Sequence, residues 1–137
     1  SDMAIIGNIG DSRAYHITPE GIFQISRDHS VVENMVAKGD LTPLEARTHP
    51  NRNLITRALG PDIHAKADTF ELPWHKDEFL LLCSDGLVNT VSDQEMLFEV
   101  LHDGDVNECL DHLLQISLQR GAPDNITAVL LLNEEGR

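Results

Sequence analysis

The chain has 137 residues, 41% of them hydrophobic but only 4% aromatic, and it sets 23 Asp and Glu against 10 Lys and Arg for a formal net charge of −13. This length suits one domain, or part of one, with a core built mainly of Leu, Ile, Val and Ala. Such acidity excludes a polyanion-binding surface and therefore nucleic acid, and it leaves room for a phosphorylated ligand only where bound cations supply positive charge.

In chain order, 4–9 (AIIGNI) and 13–17 (RAYHI) read as strands around Gly10-Asp11-Ser12, and 22–25 (IFQI) as a third strand after the turn signal TPEG at 18–21. These three are expected as a meander. Residues 30–39 carry Val31, Val32, Met35 and Val36 at helical spacing, with Ser30 and Glu33 in a capping-box pattern and Gly39 as a stop. A second short helix follows, with Thr42 as cap, Pro43 at its first position and Glu45 three beyond the cap. The stretch THPNRNLITRALG then gathers Arg52 and Arg57 close behind Arg47. It reads either as a surface insertion with solvated arginines or as a mobile segment that meets an anionic partner.

Strand patterns resume at 66–72 and end at Pro73. The apolar run Phe79–Cys83 reads as a buried strand that runs straight into Ser84-Asp85-Gly86. Two helices follow. The first has Ser92 and Glu95 as a capping box, a stripe of Met96, Leu97, Val100 and Leu101, and Gly104 as stop. The second has Asp105 with Glu108, then Cys109, Leu110, Leu113 and Leu114, and Gly121 as stop. Residues 125–132 (NITAVLLL) form a last strand, apolar enough to be central. Regular strand–helix alternation is missing, so the expected class is α+β, with helices covering a sheet face. Cys83 and Cys109 read as buried free thiols, which suits a reducing compartment. No run approaches the ~18 apolar residues of a membrane span, and there is no signal-peptide pattern. The expected location is cytoplasmic, with no membrane partner.

Three carboxylates stand at strand ends: Asp11 in NIGDSR, Asp85 in CSDGL and Asp124 in APDNIT. If the strands before Asp85 and after Asp124 run antiparallel and adjacent, the two aspartates meet at one sheet edge. Clustered carboxylates repel, and they must protonate, separate or bind a cation. Oxygen-only ligands suit hard cations such as Mg²⁺ or Mn²⁺. Two such ions about 3.5–4 Å apart brace an in-line displacement at phosphorus. Each aspartate by itself also reads as an ordinary turn former.

NIGDSRAY, SRDHSVVENMVAKGDLTPLEARTHPNRNLITRALG, FLLLCSDGL and GAPDNITAVLL occur in this order. Together they resemble the metal-dependent serine/threonine phosphatases of the 2C type (the PPM family), bacterial members in particular. The resemblance implies part of a β-sandwich flanked by helices, holding two or three Mg²⁺ or Mn²⁺ ions in an intact active site. It makes Asp85 and Asp124 metal ligands and Asp11 a ligand of a further ion. Residues 28–60 match the family's flap, which lies beside the active site; Asn125 is read as supporting Asp124, and Ser12 and Arg13 as serving the turn. It implies a phosphoprotein substrate, with a Ser/Thr kinase or its targets as partners.

The family's amino-terminal motif, Asp-Gly-x-Gly-Gly with its metal-bridging aspartate, has no counterpart here, nor do its phosphate-binding arginine and proposed acid histidine. Residues 1–137 are therefore expected to be the carboxy-terminal part of a single phosphatase domain. No general acid is assigned, weak metal binding and little turnover are expected of this chain alone, and its exposed strands invite self-association. The rival reading is a non-catalytic binding or regulatory module derived from such a phosphatase. An unrelated metal-binding structural domain is a third.

Overall fold

The computed structural model describes residues 2–60, 64–121 and 125–134. In chain order the elements are β1 (Met3–Asn8), β2 (Arg13–Thr18), β3 (Gly21–Gln24), α1 (Val31–Ala37), α2 (Pro43–Arg47), β4 (Asp68–Pro73), β5 (Phe79–Cys83), α3 (Asp85–Val88), α4 (Asp93–His102), α5 (Val106–Gln119) and β6 (Ala128–Leu132).

The strands form two antiparallel sheets. One has four strands in the order β3-β2-β5-β6, and the other is the pair β1-β4. The expected amino-terminal meander holds only for β2 and β3, which close through the TPEG turn with Thr18 opposite Gly21. β1 instead leaves for the second sheet and pairs in register with β4, from Met3↔Pro73 to Asn8↔Asp68. The link between the sheets is Gly10, whose φ of 105° lies in the left-handed region that glycine tolerates.

Strand alternation decides what each face buries. Tyr15 and Ile17 of β2, Leu81 and Cys83 of β5 and Leu130 of β6 share one face of the four-stranded sheet. The helices α3, α4 and α5 cover that face with Leu87, Met96, Val100, Cys109 and Leu113, joined by Val91 from the turn between α3 and α4. Full burial of a side chain such as Leu81 or Leu113 is worth about 1.5–3 kcal/mol each. On the opposite face Leu80 and Ala14 are buried, but Val129 and Leu131 remain 46% and 39% exposed. A cavity of about 260 Å³ lies between that face and β1, lined by Ile6, Ala14, Leu82 and Val129 among others. Among the described residues β6 has β5 on one side only, at the edge of the sheet rather than in the central place its apolar run implied. The run misled because residues 125–127 lie outside the strand and the helical layer takes only one of its faces.

The helix starts follow their sequence signals. Thr42 with Glu45 and Ser92 with Glu95 form complete reciprocal capping boxes. Ser30 accepts from the Glu33 N–H, but Glu33 does not return the bond; its carboxylate stands 3.7 Å from Arg27. Asp105 likewise caps α5 by accepting from the Glu108 N–H at 2.9 Å. Both cysteines are free and buried. Among the described residues no helix is long and apolar enough to cross a membrane.

Candidate metal centre

Asp85 is carried out of the core by β5 and occupies the first turn of the four-residue helix α3. Its neighbour Gly86 is buried, with Asn125 and Ile126 of the segment leading into β6 packed against it. A β-carbon on Gly86 would fall far inside contact distance of the Asn125 carbonyl oxygen. Two further bonds fasten the same crossing: Ser84 N–H donates to the Thr127 carbonyl at 2.9 Å, and Thr127 N–H donates to Ser84 Oγ at 3.0 Å. β5 and β6 are antiparallel neighbours, with Cys83 opposite Ala128. The loop after one therefore meets the loop before the other. Asp124 itself lies outside the described residues.

Asp11 arrives from the other sheet junction. Its carboxyl is raised to about 6, first by burial and then by the Asp85 charge, with a smaller push from Asp28. Both aspartates line one cavity of about 530 Å³. Two neighbouring carboxylates that repel each other across one cavity make an oxygen-only donor set. That donor set fits a hard divalent ion.

The other charged groups around the cavity are already committed. Arg13 grips Asp28 through a bidentate fork, Nε to Oδ1 at 3.0 Å and Nη2 to Oδ2 at 2.9 Å. Burial alone would lower the Arg13 pKa, but the Asp28 hydrogen bonds outweigh it and hold the group more firmly protonated. Arg13 also donates to the Tyr15 hydroxyl at 2.9 Å, and that hydroxyl donates to Asp93 at 3.2 Å. Arg13 thus does more than serve a turn: it neutralises Asp28 and leaves Asp11 and Asp85 as the free pair. Spacing along the chain gave no sign of this fork, since Arg13 and Asp28 belong to different segments.

His29 was also missed among seven scattered histidines. It is 5% exposed. Gly10 N–H donates to its Nδ1 at 3.0 Å, and His29 N–H returns a bond to the Gly10 carbonyl at 2.8 Å. The turn holding Asp11 is therefore riveted to the start of the segment matching the flap. The far end of that segment closes on the same residue, Thr56 N–H donating to the His29 carbonyl at 2.7 Å. Between these ends α1 and α2 form one wall of the cavity, through Val32, Val36 and Leu44. Arg47 lines the cavity and donates to the Val88 carbonyl at 3.1 Å. Arg57 turns away to Asp68 at 3.2 Å.

No family model matches the sequence. Single relatives do. The serine/threonine phosphatase stp of Listeria monocytogenes is 35% identical over 138 aligned residues, which is 98% of this chain and 55% of that protein. The crystal structure of the serine/threonine phosphatase Stp1 from Staphylococcus aureus superposes with a TM-score of 0.90 at 40% identity, covering 98% of this chain and 52% of that one. The chain has the fold of a bacterial PPM-family serine/threonine phosphatase. It spans about 55% of the length of the curated PPM relatives it matches. A further PPM neighbour, the catalytic domain of the phosphatase PstP in complex with two manganese ions, has a TM-score of 0.82 at 30% identity, with 95% of this chain and 53% of that one covered.

Proposed function

We propose that these residues form part of the active centre of a divalent-cation-dependent phosphatase acting on phosphoserine and phosphothreonine in proteins. The observation that carries this reading is the placement of Asp11 and Asp85 on one cavity, near enough for the charge of one to act on the other. Asp85 and Asp124 are assigned to the metal pair, Asp11 to an additional ion, and residues 28–60 to the flap of a single phosphatase domain. The packing of the Asn125 backbone on Gly86 supports the place given to Asp124. Two carboxylates gathered on one cavity favour this reading over a non-catalytic module.

When bound, Mg²⁺ or Mn²⁺ would lower the pKa of water and polarise the phosphoryl group, so that water displaces the serine or threonine alkoxide without a covalent enzyme intermediate. The chain's own contribution is positional. Asp11 and Asp85 present oxygens from two rigid strand ends. Arg13 neutralises Asp28, and Arg47 and Arg52 are flap cations that line the cavity. The two manganese ions of the PstP neighbour favour divalent dependence, with Mn²⁺ or Mg²⁺ equally suited to oxygen ligands. Two buried free thiols suit a cytoplasmic setting, where a Ser/Thr kinase would act on the same phosphoproteins. The half-exposed Val129 and Leu131 on edge strand β6 favour self-association.

The test is a phosphatase assay on these 137 residues carried within a chain of the relatives' full length, with a phosphothreonine peptide and Mn²⁺. Mn²⁺-dependent phosphate release that falls roughly a hundredfold or more in Asp85→Asn is expected. Activity unchanged in that variant would overturn the assignment. The 137 residues alone are expected to turn over little substrate even with excess Mn²⁺.

A further inference from the structure

A second cluster of cation-binding groups lies elsewhere on the molecule. Glu99 sits in the last turn of α4, Asp103 is its C-cap, and His112 faces them from α5. His112 Nδ1 stands 2.9 Å from Asp103 Oδ1 and 3.5 Å from Glu99 Oε2. One ligand atom from each residue lies within 4.8 Å of the others. Glu99 and Asp103 lie six and ten residues along from Asp93, about 9 and 15 Å at the helical rise, and none of the three residues of the cluster lines the Asp11–Asp85 cavity.

Several observations show that this cluster lacks positive charge. The first is an orphaned atom. Asp103 Oδ2 is buried and has no hydrogen-bond partner, the one such side-chain atom among the described residues. A carboxylate oxygen buried without a partner is destabilising, and a cation would satisfy it. Both carboxylates also stand at the carbonyl end of α4, where the helix dipole disfavours negative charge. A single imidazole nitrogen is shared between them, and it can hand its one proton to only one carboxylate. The two separations that involve His112 are close to those around a bound metal. Two ligands each about 2.0–2.1 Å from a tetrahedral Zn²⁺ stand roughly 3.4 Å apart. The Glu99–His112 separation already matches, and the Asp103–His112 separation needs to open by only about half an ångström.

We propose that Glu99, Asp103 and His112 form a second metal site that takes a borderline transition-metal cation, Zn²⁺ best, and clamps α4 to α5. Its donor set of one nitrogen and two oxygens differs in kind from the all-oxygen edge at Asp11 and Asp85, which suits harder ions. Three protein ligands leave a fourth position for water, open to solvent because His112 is 51% exposed. Cys109, one turn before His112, is buried and its thiol is pushed up to about 12, by burial first and then by Asp103 and Glu99. It stays a protonated thiol outside the ligand set.

The experiment is titration of the chain with ZnCl₂ by calorimetry in excess Mg²⁺, repeated on Asp11→Asn/Asp85→Asn, His112→Ala and Glu99→Gln. His112 is exposed and Glu99→Gln keeps its volume, so neither change disturbs the core. One tight equivalent is expected in the parent and in the double aspartate variant, weakened tenfold or more in His112→Ala and in Glu99→Gln. Co²⁺ in place of Zn²⁺ should give the visible bands of a low-coordinate site with no thiolate charge-transfer band, unchanged in Cys109→Ser. Loss of the Zn²⁺ equivalent in the double aspartate variant would overturn the proposal, as would undiminished binding in His112→Ala or a thiolate band.

Discussion

His29 donates from Nε2 to the Asp68 carboxylate at 2.7 Å, and the direction of that bond is fixed because the other ring nitrogen accepts the Gly10 N–H. One buried imidazole therefore joins the turn that carries Asp11, the root of the flap segment and strand β4. Removing the ring strands a buried N–H. His29→Ala is expected to cost about 2–3 kcal/mol of unfolding free energy in urea titrations. Asp68→Asn keeps an acceptor oxygen and should cost less than about 1 kcal/mol. The Asp68 carboxyl is held below its ordinary range, chiefly by the His29 bond. Its contribution is thus present above that range and fades as the pH drops through the lowered value, a trend that Asp68→Asn should remove.

Gly86→Ala tests the crossing of the two loops. The added methyl would overlap the Asn125 carbonyl, a backbone atom that cannot rotate away. A loss of about 2–3 kcal/mol in stability is expected, together with weaker Mn²⁺ binding as the strand after Asp124 is pushed off β5. Equal stability and equal Mn²⁺ affinity in calorimetry would show that the loops do not touch.

Glu95 gives a second acid-sensitive contact. Its carboxylate receives Arg120 Nη2 at 2.5 Å and the Ser92 N–H at 3.0 Å, and its pKa is lowered to about 2. A lowered carboxylate stabilises the fold above its unfolded value and loses that effect as pH falls toward the folded one. The stabilisation therefore disappears between about pH 4.5 and 2. The carboxylate is 38% exposed and its partner 47%, so solvent limits the gain to about 1 kcal/mol or less. Glu95→Gln should lower the urea midpoint at pH 7, with the gap from the parent closing as the pH approaches 2.

The thiols should be silent in the folded chain. Cys83 is 4% exposed and Cys109 1%, and burial first pushes each up to about 12. The thiolate is the reactive form. Labelling with an aromatic disulfide reagent at pH 8 should proceed only at the rate of opening, and both sites should react at once in urea. Rapid native labelling of either would place it at the surface.

Secondary structure was legible wherever a local signal was complete. The pairs Thr42/Glu45 and Ser92/Glu95 mark helix starts within a few residues, and TPEG marks a hairpin. What failed were relations set by tertiary packing. β1 looks like the neighbour of β2, yet its partner is β4, because Gly10 redirects the chain between sheets. β6 looks central, yet among the described residues it has one neighbour, because an apolar run does not reveal how many neighbours a strand has. The helix α3 was missed since four residues give no periodicity. At the candidate site, Asp11 and Asp85 could be named from motif and strand ends. Arg13 with Asp28, and His29 with Gly10, could not, since each contact joins segments whose separation in sequence has no period.

The neck of the 30–55 excursion also has a practical reading. Ser30 bridges Ile55, and the bond from Thr56 to His29 shuts the gap beneath them. The two ends already touch, so the excursion behaves as a cassette. It could be exchanged for the equivalent stretch of a homologue, or replaced by a short Gly-Asn linker, while the strands keep their places. Chimaeras of this kind would let cavity-wall chemistry be varied on a constant chassis.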